Sequence, residues 1–123
     1  MGELIYKDLS YKIIGCVYKS FNELGFGYRE KIYQRALAEE FKKEKIAYKI
    51  ECPVKLIYNE KIIGKYFLDF VVEDKVIVEL KIANGFYTRD IKQILGYLKA
   101  KNLKLGILII FNKKGIKYRR IVN

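Results

Sequence analysis

Apolar residues recur at every fourth position near the amino-terminal end of the chain: Ile5, Leu9, Ile13, Val17 and Phe21, with Ile14, Tyr18 and Leu24 widening the stripe. That spacing predicts an amphipathic helix, stopped by Gly25-Phe26-Gly27. A second helix is predicted from Tyr28 to Lys45, with Ile32, Leu37 and Phe41 on its apolar face and a basic end that complements the helix dipole. From Ala47 to Tyr58 the pattern turns strand-like, although Pro53 lacks an N–H and demotes its middle to an edge or a bulge. Asn59-Glu60 reads as a turn into a strand from Lys61 to Val72 that Gly64 interrupts, and a strand from Val76 to Lys81 follows.

Asn84-Gly85 breaks the chain again, and Thr88 is placed to cap a helix running to about Ala100, with Asp90 in its first turn. The continuous apolar run from Leu105 to Phe111 has the length of a strand covered on both faces. Lys113-Lys114-Gly115 turns into a last strand, Ile116 to Val122, carrying Lys117, Arg119 and Arg120. The order ααβββαββ predicts an α/β fold, one domain over residues 1–123 with a central mixed β-sheet flanked by helices.

Charge narrows the partners. Lys and Arg number 25 against 14 Asp and Glu, a net +11 that favours a polyanion such as nucleic acid. The bland reading, a basic protein with a solvated surface, predicts the same composition. There is no histidine, which removes the Ser-His-Asp triad, Cys-His proteases and nearly all zinc enzymes. Cys16 and Cys52 lack metal-ligand spacing, and Cys16 falls on an apolar helix face as a core residue. No apolar run approaches ~18 residues and no signal segment is visible, so a cytoplasmic protein with no membrane partner is expected.

One constellation carries chemistry. Asp69 lies near the end of one predicted strand, and Glu79-Leu80-Lys81 closes the next. A strand alternates faces, so Glu79 and Lys81 share one while Leu80 enters the core. A two-residue loop at Glu73-Asp74 sets Asp69 opposite Val78, on the wrong face. A three-residue loop, Glu73-Asp74-Lys75, sets it opposite Glu79, with Asp74 or Lys75 in the left-handed region. Two carboxylates beside one ammonium are costly to desolvate unless a cation or a phosphate completes them. By spacing alone such a set is usually a solvated strand edge. Glu30, one helical turn from Tyr33, either joins it or merely favours the helix dipole, and Gln93 and Tyr97 are an i,i+4 pair with ordinary packing as the alternative.

Gly27-x-x-Glu30-x-x-Tyr33, Asp69, Glu79-x-Lys81 and Gln93-x-x-x-Tyr97, in this order along nearly the whole chain, resemble the GxxExxY proteins, which are grouped with the PD-(D/E)xK nuclease superfamily. Leu68 stands where the superfamily's name has proline. The resemblance implies a restriction-endonuclease-like core and a metal-dependent nuclease acting on DNA ahead of RNA. In that reading Asp69, Glu79 and the Leu80 backbone carbonyl hold Mg²⁺ or Mn²⁺, and Glu30 holds it through a water or binds a second ion. Lys81 assists the attacking water, Gln93 positions water or backbone, and Tyr97 packs or hydrogen-bonds near the scissile phosphate. Arg29, Lys31, Arg89 and Lys92 are the phosphate contacts, with Lys113, Lys114, Lys117, Arg119 and Arg120 as a second basic patch and Tyr87 as a loop-borne stacking residue. A homodimer suits double-strand cuts, although nothing in the sequence marks an interface. The rival readings are a catalytically silent nucleic-acid-binding or protein-interaction module, and a metal-free ion-pair network.

Overall fold

The computed structural model describes residues 4–123 as three helices and a five-stranded sheet. The helices are α1 (Lys7–Leu24), α2 (Glu30–Lys43) and α3 (Thr88–Lys101). The strands are β1 (Tyr48–Tyr58), β2 (Lys61–Val72), β3 (Val76–Ile82), β4 (Leu105–Asn112) and β5 (Gly115–Val122). Strand order follows the chain, with only β3 and β4 parallel. That one parallel pair needs a crossover, and α3 supplies it. The predicted order ααβββαββ and mixed sheet are therefore both present.

Boundaries moved where local geometry overrides pattern. α2 begins at Glu30 rather than Tyr28, because Gly27 at φ 127° and extended Arg29 still belong to the connector. Its last residue is Lys43, short of the predicted Lys45, which turns out into the left-handed region. Thr88 is the first helical residue and not the cap, since Tyr87 holds the extended N-cap position. Gly64 does not interrupt β2. The pairing slips there, between Leu56↔Gly64 and Ile57↔Ile62, leaving Ile63 as a bulge.

The sheet separates two apolar layers. On one side Phe70, Val72, Val76, Val78, Leu80 and alternate residues of β4 pack under α1 and α2. On the other, Val71, Ile77, Leu108 and Ile110 pack under α3 with Ile94, Tyr97 and Leu98. The second contact is close: a Cβ on Gly106 meets Ile94 Cγ2 at 2.7 Å, so glycine is what lets α3 lie on β4. Tyr33 is buried and stacks on Phe111, ring centroids 4.6 Å apart. Its hydroxyl donates to the Gly25 carbonyl at 2.6 Å, pinning the connector that presents Glu30.

β1 and β2 change faces partway. Leu68 packs on the α3 side, yet Phe70, two residues on, packs on the α1–α2 side. Opposite, Cys52 packs with α3 while Tyr48 packs with α2, and Glu51 between them sits at φ 51°. Regular strands keep residues two apart on one face, so both strands roll over at Glu51 and Asp69. The consequence is a fork. β2 pairs with β3 only from Phe70↔Val78 to Val72↔Val76, and beyond Phe70 the β1–β2 hairpin leaves the sheet as a two-stranded arm over α3.

Candidate functional site

The fork holds the acids. The β2–β3 loop is the three-residue Glu73-Asp74-Lys75, closed by a Lys75 N–H to Val72 carbonyl bond of 2.9 Å. Its left-handed residues are Glu73 and Asp74, so Lys75 is not the one that turns. Continuing the register past Phe70↔Val78 sets Asp69 opposite Glu79. There the backbone ladder has parted and the side chains replace it. Glu79 Oε1 accepts the Asp69 N–H at 2.8 Å, and Asp69 Oδ2 accepts the Leu80 N–H at 2.8 Å. Two backbone donors that the splay would strand in the interior are thereby satisfied.

The arrangement leaves the acids short of positive charge. Glu79 is 3% exposed, with one further donor, the Tyr66 hydroxyl at 3.2 Å to Oε2. Burial pushes its carboxyl up to about 8, the facing Asp69 adding to the rise. Burial likewise pushes Asp69 up to about 6, against the Leu80 N–H, with Glu30 and Glu51 adding to the rise. Lys81 shares the face of Glu79, but its ammonium lies 3.7 Å from Asp90 Oδ1, a buried carboxylate in the first turn of α3. Arg89 Nε lies 3.7 Å from the same oxygen.

A surface cleft of about 310 Å³ opens over this end of β3, lined by Glu30, Lys81, Asn84, Tyr87, Arg89 and Asp90 among others. Glu30, the first residue of α2, reaches across to accept the Ile82 N–H at 3.3 Å. Fold topology thus gathers Glu30, Asp69, Glu79 and Lys81 from three elements. Tyr97 is near but indirect: it stacks on Tyr66, centroids 4.5 Å apart, and Tyr66 bonds Glu79. Gln93 stays on the exposed side of α3 and makes no side-chain hydrogen bond among the described residues.

A sequence profile of the PD-(D/E)XK nuclease superfamily matches residues 7–121. The chain belongs to that superfamily. Its fold is also that of two solved structures. The crystal structure of SSO0001 superposes with a TM-score of 0.56 at 12% identity, covering 94% of this chain and 77% of that one. The alkaline exonuclease LHK-Exo from Laribacter hongkongensis superposes with a TM-score of 0.54 at 14% identity, covering 100% of this chain and 72% of that one. At such identities the likeness concerns the fold alone. No curated protein matches the chain significantly.

Around the acids of this PD-(D/E)XK superfamily member, sequence reasoning missed four neighbouring groups, Tyr66, Asp90, Gln34 and Glu51. Tyr66 and Asp90 touch Glu79 and Lys81. Gln34 Nε2 donates to the Asp69 carbonyl at 3.1 Å and to Glu51 Oε1 at 3.3 Å. Lys31, expected to face phosphate, binds Glu51 at 2.8 Å, and that bond holds the Glu51 carboxyl below its ordinary range. Only Asp90 left a signal, an acid in a helix's first turn. Tyr66 faces the acids because the strand rolls over, and no periodicity shows that. Of the remaining cations, Arg29 and Lys92 are exposed, and Arg89 lies over the exposed Tyr87 ring. The second basic patch is divided by strand alternation. Arg119 lies over Phe86 on the α3 side, while Arg120 hydrogen-bonds the Ile5 carbonyl beside α1. Among the described residues no helix is long and apolar enough to cross a membrane.

Proposed function

We propose that this domain is a metal-dependent nuclease acting on DNA ahead of RNA, with Asp69 and Glu79 as the ligands of one Mg²⁺ or Mn²⁺. The observation that carries this reading is the facing, buried carboxylate pair, Glu79 on the Asp69 N–H and Asp69 on the Leu80 N–H, whose carboxyls burial pushes well above the carboxylate range. A divalent ion suits such a pair: both donors are hard oxygens, and the surplus charge is negative. In a strand the N–H and C=O of one residue point the same way, so the Leu80 carbonyl also faces the parted edge and can serve as a third oxygen. Once bound, the ion supplies an acidified water and neutralises charge on the phosphoryl oxygens.

The rest of the work belongs to the chain's own groups. Lys81, at the mouth beside Glu30, is placed to orient the attacking water or stabilise the crowded phosphoryl group. Asp90 holds that ammonium in position until substrate arrives. Glu30 occupies the cleft rim and assists through a water. Tyr97 acts by backing Tyr66, and Gln93 from the outer face of α3 positions the backbone of a bound strand. Arg29, Arg89 and Lys92 contact phosphates around the cleft.

A silent binding module of the same fold is the second reading. One observation favours it: among the described residues no three His, Cys, Asp or Glu side chains come together as a metal cage. Incubation with plasmid, single-stranded and branched DNA in Mg²⁺ or Mn²⁺ separates the two. The nuclease reading expects cleavage that Asp69→Ala and Lys81→Ala abolish, and cleavage indifferent to both substitutions rejects it. Mn²⁺ should also raise the Tm of the wild-type chain, since an ion that binds only the native state stabilises it. The rise should be larger at pH 8 than at pH 6, because the ion must displace the raised protons.

A further inference from the structure

The β1–β2 arm carries a surface that the fold does not explain. Its inner face is spent on α3 through Cys52, Val54, Leu56, Tyr66 and Leu68. Its outer face is exposed, and there Lys55 pairs directly with Lys65 across the strands. Like charges directly opposite destabilise a sheet. Among the described residues no carboxylate lies within ion-pair distance of Lys55, Lys61 or Lys65. The next pair on that face is Pro53 with the half-exposed Phe67, and Lys65 Nζ lies 5.2 Å from the Phe67 ring centroid.

The tip is equally unsatisfied. Asn59 and Glu60, both at positive φ, make a tight two-residue turn, and around it Ile57, Tyr58, Ile62 and Ile63 are 66%, 64%, 59% and 68% exposed. Four large apolar side chains in water at one hairpin end mark a contact surface. A second copy of a chain with net charge +11 is a poor occupant beside three unpaired lysines, whereas a polyanion meets both features. A two-stranded ribbon fits the major groove of a duplex, and apolar tips wedge against base steps.

Position completes the case. The arm begins at Asp69, so whatever it grips continues into the cleft. At ~3.3 Å per residue the Lys55–Lys65 pair stands roughly 13 Å from Asp69, and the tip roughly 25 Å. Along a duplex rising ~3.4 Å per base pair, that is about four and about seven pairs from the reacting phosphate. We propose that the β1–β2 arm is the grip for the duplex flanking the phosphate presented to Asp69 and Glu79. Lys55 and Lys65 bind its backbone, and the Ile57/Tyr58/Ile62/Ile63 tip rests against its groove. The assignment rests on nucleic acid being the substrate.

The test is binding of a fluorescein-labelled duplex by the full chain in EDTA, across a salt series, followed by anisotropy. The Lys55→Ala/Lys65→Ala double variant should bind at least tenfold more weakly and lose about two from its log–log salt slope. Its Tm should stay level or rise, because a repulsive pair has been removed, so lost binding cannot be lost folding. An Ile62→Ser/Ile63→Ser variant should no longer distinguish a long flank from one of about three pairs. Unchanged affinity and slope in the lysine variant overturn the proposal. So does a wild-type dimer by sedimentation that the isoleucine variant dissociates, which makes the arm an interface between copies. Failure of the nuclease reading looks different: no cleavage in any divalent ion, while the arm variants still lose EDTA binding that Glu79→Gln retains.

Discussion

The two faces of the sheet are built on opposite terms. Beneath α1 and α2 lies an apolar layer whose centre is the ring stack of Phe21, Tyr33 and Phe111. One of its interior polar groups, the Tyr33 hydroxyl, is used to pin a loop. Beneath α3 the apolar layer runs out at the fork, where Glu79 is buried facing a second carboxylate, Asp69. Burying a carboxylate without a counter-charge is costly, so the second face gives up stability that the first must supply. On the proposed reading such a division assigns the α1–α2 face to folding and the fork to chemistry.

The comparison breaks first on the apolar face. Phe111→Ala removes a ring that stacks on both Tyr33 and Phe21. A loss of about 3–5 kcal/mol is expected, a large part of the margin of a domain this size, read as a marked fall of the urea midpoint. Retention of the midpoint within a few tenths of wild type would mean that the layer repacks and does not support the site.

On the other face the sign reverses. Glu79→Gln keeps an oxygen to accept the Asp69 N–H and offers an amide to the Tyr66 oxygen, yet removes the buried charge. Without metal at pH 8 the variant should be more stable than wild type, by about 1–3 kcal/mol. The sign follows from linkage. The folded pKa of Glu79 is raised, so between the ordinary carboxylate value and about 8 the native state holds more protons than the unfolded one. Wild-type stability therefore falls as pH rises through that window. The variant's curve should be flatter, and the two should converge below pH 5. Melting curves in EDTA from pH 5 to 9 decide it, and parallel curves sink the buried-charge account.

How far this could be read beforehand depended on range. Helices and strands were legible because Ile13, Val17 and Phe41, or the run Leu105 to Phe111, repeat within a few residues. Glu30, Asp69, Glu79 and Lys81 were legible as motif residues, and strand alternation set the condition, an odd loop, under which Asp69 stands opposite Glu79. The rollover at Glu51 and Asp69 was not. It puts a glutamate at positive φ with no glycine to announce it, and it alone turns Tyr66 toward Glu79 and frees the arm. The partner of Lys31 was hidden for a similar reason: Glu51 lies in another element, twenty residues away.

Tyr66 gives the finest cut between the faces. Tyr66→Phe keeps the stack on Tyr97 and removes only the hydroxyl that donates to Glu79 Oε2. One such bond is worth about 1 kcal/mol, so the Tm in EDTA should hardly move. The proton on Glu79 should be held harder, because that bond favours the ionised form. The pH at which Mn²⁺ begins to raise the Tm should therefore shift upward, with the amplitude at pH 9 unchanged. Tyr97→Phe, which removes no bond to the acid, should leave that pH where it is. If Tyr66→Phe leaves that pH where Tyr97→Phe does, the hydroxyl does not set the acid's environment, and Tyr66 belongs with the packing residues after all.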